Sequence, residues 1–147
     1  MKRQILLMVV ATFLVAVGVG SVQAQNAGAM AVSVPFEFAA GGKTLPAGEY
    51  LVRRNIAGAH VTVQLRSNDG RRSLDLAIHT VAGTDVQSES KLVFNKYGDQ
   101  YFLSQVWLSG RSTGEELAKT TRERTLRGEM AKYPTKPETI AINGKLK

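Results

Sequence analysis

Between Val32 and Ser109, in stretches separated by turns and by a polar loop at 82–90, apolar side chains recur at every second position, and that period dictates strands. Val32, Val34, Phe36 and Phe38 alternate with Ser33, Pro35 and Glu37. Successive side chains of a strand point to opposite faces, so such a stretch buries one face and wets the other. Pro35 has no N–H to give to a ladder, which predicts an edge position for this strand. Leu45-Pro46-Ala47-Gly48 suits a type I turn, with proline second and glycine fourth. It leads into a strand at Glu49–Arg54 with Tyr50 and Val52 on one face. Further strands are predicted at His60–Ser67, with Val61, Val63 and Leu65 inward, and from Arg72 to Val81, with Leu74, Leu76 and Ile78 inward.

Asp69-Gly70 is a strong two-residue hairpin signal, because Asp-Gly accepts positive φ at both central positions. Used as the loop, it pairs Leu65 with Leu74, Val63 with Leu76 and Val61 with Ile78, so every inward residue meets another. The preceding hairpin is read with Asn55-Ile56-Ala57-Gly58 as its loop, which sets Val52 against Val61 and Tyr50 against Val63. Lys91–Tyr97 and Gln100–Ser109 form another hairpin around Gly98-Asp99. Its second strand is apolar on both faces, with Tyr101, Leu103 and Trp107 on one and Phe102, Val106 and Leu108 on the other. Such a strand needs a cover. The following segment supplies one if it is a helix over about residues 113–132: Thr113-x-x-Glu116 reads as a capping box, and Pro134 and Pro137 stop the helix. The alternation predicts an all-β domain, an antiparallel meander of about six or seven strands rolled into a small barrel or sandwich, with one C-terminal α-helix. The organisation is a signal peptide at 1–24, a flexible leader at 25–31, the β-rich domain at 32–133 and a tail at 134–147, in which Ile140 and Ile142 suit a short extra strand.

The compartment is read from residues 1–24. Lys2 and Arg3 precede an apolar run at 5–20, and Val22 and Ala24 stand at the positions a signal peptidase recognises. Cleavage after Ala24 removes 24 of the 147 residues and leaves 123, enough for one domain with a core of its own. The expectation is an exported protein, periplasmic or extracellular, with no membrane span once the signal is cut. The chain has no cysteine, which excludes disulfides, thiol chemistry and cysteine-ligated metals. The net charge is +7, and removal of Lys2 and Arg3 lowers it to +5. Residues 25–110 hold eight basic and seven acidic side chains, whereas 111–147 hold nine and five. Outside the cytoplasm, such a basic excess suits an anionic envelope component rather than nucleic acid.

Candidate chemistry is sparse. His60 and His79 fall opposite one another in the expected register, close enough for two imidazoles to share a metal. The same register puts Arg53 beside His60, and its fixed charge opposes a cation, so no metal site is assigned. Arg53, Arg66, His60 and His79 instead form a candidate anion-binding patch, since guanidinium groups match carboxylates and phosphates. There is no Gly-x-Ser-x-Gly, no P-loop and no dinucleotide fingerprint. Glu37, Glu49, Asp75 and Asp99 give carboxylate pairs no more often than chance. No catalytic residue and no cofactor is assigned.

Val-Pro-Phe-Glu-Phe (34–38), Lys-Thr-Leu-Pro-Ala-Gly-Glu-Tyr (43–50), Lys-Leu-Val-Phe (91–94), Tyr-Gly-Asp-Gln-Tyr-Phe-Leu (97–103) and Ser-Thr-Gly-Glu-Glu-Leu (112–117) together resemble an uncharacterised family of small exported β-rich proteins of soil-dwelling Gram-negative bacteria. The resemblance spans most of residues 32–127 and implies a shared fold. It brings no activity and no site residues, because none is established for the family. Three functions stay open: a non-catalytic envelope protein acting as a binding or interaction module, a lipocalin-like carrier of a small apolar ligand, and a hydrolase acting on envelope polymers. A carrier requires an interior cavity lined by Tyr50, Phe94 and Leu103; a hydrolase requires a cleft with paired carboxylates or an activated serine.

Overall fold

The computed structural model describes residues 28–133 and 137–147. The expected signal peptide lies outside the described residues, as do positions 25–27 of the expected leader and 134–136 of the expected tail. Among the described residues there are ten strands and one helix: β1 (Ala29–Val34), β2 (Phe38–Ala40), β3 (Lys43–Leu45), β4 (Gly48–Ala57), β5 (His60–Ser67), β6 (Ser73–Ala82), β7 (Ser90–Tyr97), β8 (Gln100–Trp107), β9 (Thr113–Leu117), α1 (Thr121–Met130) and β10 (Glu138–Leu146). Eight strands close an antiparallel barrel in the order β8-β7-β10-β1-β4-β5-β6-β9, with β9 returning to β8. The β2–β3 hairpin hangs on β8 through a parallel pairing of Ala39 with Phe102.

The strand count exceeds the expected six or seven because β2 and β3 form a short hairpin where none was expected and a stretch read as helix is a strand; the first strand also begins earlier, and the short strand expected at Ile140 and Ile142 is longer. Ala29–Ala31 opens β1, Thr113–Leu117 is β9, and the stretch read as a tail supplies β10. Nor is the sheet a plain meander: β10 lies between β7 and β1, and β9 between β6 and β8. β1 is consequently paired on both sides, not an edge, and Pro35 stands one residue past its end.

Alternation does what its period requires. Met30, Val32, Val34, Tyr50, Val52, Val63, Leu65, Leu76, Leu92, Phe94, Leu103 and Leu117 all point into one continuous core. Phe38 reaches it from β2 and stands edge-on to both Tyr50 and Phe94, with ring centroids 5.4 and 5.3 Å away. Edge-to-face pairs set the positive ring edge against the negative ring face, and Phe38 sits between Tyr50 and Phe94 through two of them. The Tyr50 hydroxyl donates back to the Pro46 carbonyl at 2.6 Å, which is what the Pro-Ala-Gly-x-Tyr spacing achieves locally. Burial raises the Tyr50 pKa; Arg72 works against that rise and Asp69 with it.

Three registers locate the functional surfaces. The β5–β6 pairing matches expectation over Leu65–Leu74 and Val63–Leu76, and the turn is tied by Ser67 and Asp69, whose side chains hydrogen-bond at 2.5 Å. The β4–β5 pairing keeps the expected parity but is shifted by four residues: Val52 faces Leu65 and Ile56 faces Val61. The loop shrinks to Gly58-Ala59 because Gly58 takes φ +60°, and Asn55, Ile56 and Ala57 of the expected loop pair with Thr62, Val61 and His60. β6 also changes partner midway, leaving β5 after Ala77 to pair with β9 from Ile78 onward. The end of the β4–β5 hairpin therefore stands clear of the barrel wall.

A register shift in the β7–β8 ladder settles the two-faced apolar strand. Phe94 pairs with Leu103 but Val93 pairs with Gln105, so Ser104 is an extra residue. A bulge reverses alternation. Leu103, Val106 and Leu108 enter the core, while Trp107, expected beside Leu103, lies outside. Its indole lies so close to Gly114 that an added Cβ there would fall 2.6 Å from the ring. The cover is thus β9 itself, not a helix beginning at Thr113. The working cap is Thr120-x-x-Glu123, seven residues later: Thr120 Oγ1 accepts the Glu123 N–H at 3.2 Å. Pairing of Thr113–Leu117 with both β6 and β8 overrides the helix signal there.

Candidate functional site

The two histidines do not meet. The β5–β6 ladder ends at Thr62–Ala77; His60 pairs with Ala57 at the hairpin tip, and His79 faces Glu116 on β9. Arg53 lies opposite Gln64, not His60. Arg66 shares its outward face but curls over the β5–β6 turn, with its guanidinium 3.0 Å from where a Cβ on Gly70 would stand. Of the four expected patch residues, Arg53 lines the groove along β1, and Arg66, His60 and His79 are not part of it.

That groove follows from the side chains of β1. Its core-facing residues are Met30, Val32 and Val34, and its outward residues are Ala29, Ala31 and Ser33. Large-inside, small-outside alternation makes β1 a low floor. The neighbouring strands carry taller outward side chains, Glu49, Leu51 and Arg53 on β4 and Asn143 and Lys145 on β10. The β1–β10 ladder holds only Met30–Leu146 and Ala31–Lys145, extended by the Lys147 N–H donated to the Ala29 carbonyl at 2.9 Å. Beyond Ala31 the strands part. The resulting groove has a volume of about 590 Å³ and is lined by Arg53, Lys145 and Lys147, with Glu49 as its one carboxylate. Asn68 donates to Glu49 at 3.1 Å, and Asn143 donates to Glu89 at 2.6 Å. The Asn68 amide is neutral and leaves the Glu49 charge in place, so the lining side chains carry three positive charges against one negative.

Two buried carboxylates lie elsewhere. Glu115 is 1% exposed and faces inward on β9 at the mouth near the β4–β5 tip. Arg54 Nε reaches its Oε1 at 2.5 Å and Arg111 Nη1 reaches the same oxygen at 3.5 Å. Glu123, 3% exposed, accepts from Asn95 at 2.9 Å and from the Tyr97 hydroxyl at 3.3 Å at the far mouth. Burial, then the charge of Glu123 and its hydrogen bond, pushes the Tyr97 pKa up, so the phenol stays protonated and donating. Both carboxylates have structural partners. Among the described residues no three His, Asp or Glu side chains gather as metal ligands, and no helix is long and apolar enough to cross a membrane.

No family model, no curated protein and no solved structure matches the chain. The site is therefore read from its own geometry.

Lys145 and Lys147 escaped the sequence reading because 134–147 was taken for a tail, and Ala29 and Ala31 because small residues before the alternation read as a leader. A signal existed: Ile140, Ile142 and Gly144 keep the same parity as a strand. Glu115 went unnoticed because its neighbours suggested a helix start.

A buried charge stripped of its partner is costly, whereas the intact pair adds little over an apolar substitute. Glu115→Ala leaves Arg54 and Arg111 facing each other, and is expected to lower stability by about 3 kcal/mol in urea denaturation. An unchanged midpoint would show that the cluster holds nothing.

Proposed function

We propose that the protein is a non-catalytic, exported binding module that takes an anionic ligand of the cell envelope in the β4–β1–β10 groove. The observation that carries this reading is the convergence of Arg53, Lys145 and Lys147 on one groove in which, among the described residues, Glu49 is the one acidic side chain. Arginine offers a planar donor fork and lysine a mobile point charge, a combination suited to repeating carboxylate, phosphate or sulfate groups. The layout of residues 1–24 supports export.

The filled interior weighs against a carrier. Tyr50, Phe94 and Leu103, which a carrier would use to line a cavity, belong to the packed core, and Phe38 occupies the space between the first two. The engagement of Glu115 by two arginines, and of Glu123 by Asn95 and Tyr97, leaves little support for a hydrolase.

Calorimetric titration with dextran sulfate, a soluble polyanion, tests the binding. The protein is expected to bind, and Lys145→Ala with Lys147→Ala to weaken binding about tenfold at low ionic strength. Added salt should weaken the unmodified protein further, as screening demands. No heat, or affinity indifferent to both substitutions, would contradict the reading. Export is tested by the mass of the protein recovered from its cells: a chain lacking residues 1–24 is expected, and an intact chain refutes it.

A further inference from the structure

The rim of the barrel on the side of the β4–β5 tip differs from the opposite rim. Among the described residues four large apolar side chains are exposed: Ile56 at 64%, Val86 at 64%, Leu146 at 48% and Tyr133. The first three belong to the same rim. Ile56 is on the projecting β4–β5 hairpin, Val86 is in the loop between β6 and β7, and Leu146 is at the end of β10. Their positions follow from strand length. Ile56 continues the inward parity of Tyr50 and Val52 past the end of the core, and Leu146 pairs with Met30 yet extends beyond the β7–β10 ladder. The tip around Ile56, residues 55–60, is exposed throughout and holds no acidic residue.

Two cations of the groove, Arg53 and Lys145, lie behind these apolar tips, and Lys147 stands past Leu146 at the end of the chain's last strand. Lys145 is one residue from Leu146, Lys147 follows it, and Arg53 is three residues from Ile56 on β4. The exposed carboxylates of this rim are Asp85 and Glu89, of which Glu89 accepts from Asn143, while the buried Glu115 is held by Arg54 and Arg111. A surface that inserts shallow apolar groups and places anions a few ångströms behind them matches this order of layers. Lipid bilayers have it, since acyl chains begin below the phosphates. The apolar tips sit on three separate segments around a mouth and form no single flat patch. A fluid surface accommodates separate tips, whereas a folded partner would need a continuous complementary face.

We propose that this rim docks the protein onto an anionic lipid bilayer, with Ile56, Val86 and Leu146 entering the interface and Arg53, Lys145 and Lys147 meeting lipid phosphates. The inference rests on the groove's being an anion site and names the source of the anion.

Co-sedimentation of the full chain with vesicles of phosphatidylcholine and phosphatidylglycerol, against vesicles of phosphatidylcholine alone, tests it. A leader left on the chain carries Lys2 and Arg3 and would itself favour the anionic vesicles, so the deciding readout is the effect of rim substitutions, which the leader does not share. At least about tenfold tighter binding to the anionic vesicles is expected. Ile56→Asp and Val86→Asp, both at exposed positions, should each lower that binding about tenfold and leave dextran sulfate affinity and the melting temperature unchanged. Equal binding to both vesicles, or indifference to both substitutions, overturns the proposal. Absent vesicle binding with normal dextran sulfate binding sinks the membrane inference alone; loss of both sinks the groove reading as well.

Discussion

The structure depends on where the last strand goes. β10 lies between β7 and β1, and without it the sheet has two free edges and the core lies open along its length. The contact that admits β10 is small: a Cβ at position 144 would run into the Met30 side chain and the Ala31 carbonyl, so glycine lets the two strands approach. Seven pairs tie β10 to β7 and only two tie it to β1. Closure is therefore firm on one side and narrow on the other, and the groove opens where the narrow ladder gives out.

That asymmetry links fold to surface chemistry. Large residues of β1 fill the barrel while Ala31 and Ser33 leave a floor outside, and divergence from β10 deepens it. Lys145 and Lys147 reach the groove only because β10 closes the barrel, so the same strand that seals the core brings the charge. The ion cluster of Glu115 with Arg54 and Arg111 ties β4 to β9 at the same mouth, holding the base of the exposed hairpin. A rigid base with a projecting tip presents Ile56 to whatever the rim meets.

Much of the fold was legible because period-two alternation constrains faces more strongly than it constrains partners. The inward residues Tyr50 and Val52 of β4, Val63 and Leu65 of β5 and Leu76 of β6 were identified, and the Leu65–Leu74 register followed from Asp69-Gly70. Partner choice was less legible. Parity tolerates a shift of four residues, so Val52 was set against Val61 when it faces Leu65. The Ser104 bulge reversed Trp107 without any residue that signals a bulge. Thr113–Leu117 has the composition of a helix start, and only tertiary pairing makes it a strand. The site suffered the same way: Arg53 was found because its face was right, but its cationic neighbours come from a strand distant in sequence, which local patterns do not reach.

The absence of cysteine makes the closing contact directly measurable. Directly opposed residues of an antiparallel ladder lie within the Cα separation a disulfide spans. Ala31→Cys combined with Lys145→Cys should form an intramolecular disulfide under mild oxidation, seen as a loss of two mass units and of both free thiols. Two thiols that stay reduced under those conditions in the folded protein would mean that β10 does not lie beside β1, and the barrel, the groove and its lysines would have to be abandoned together.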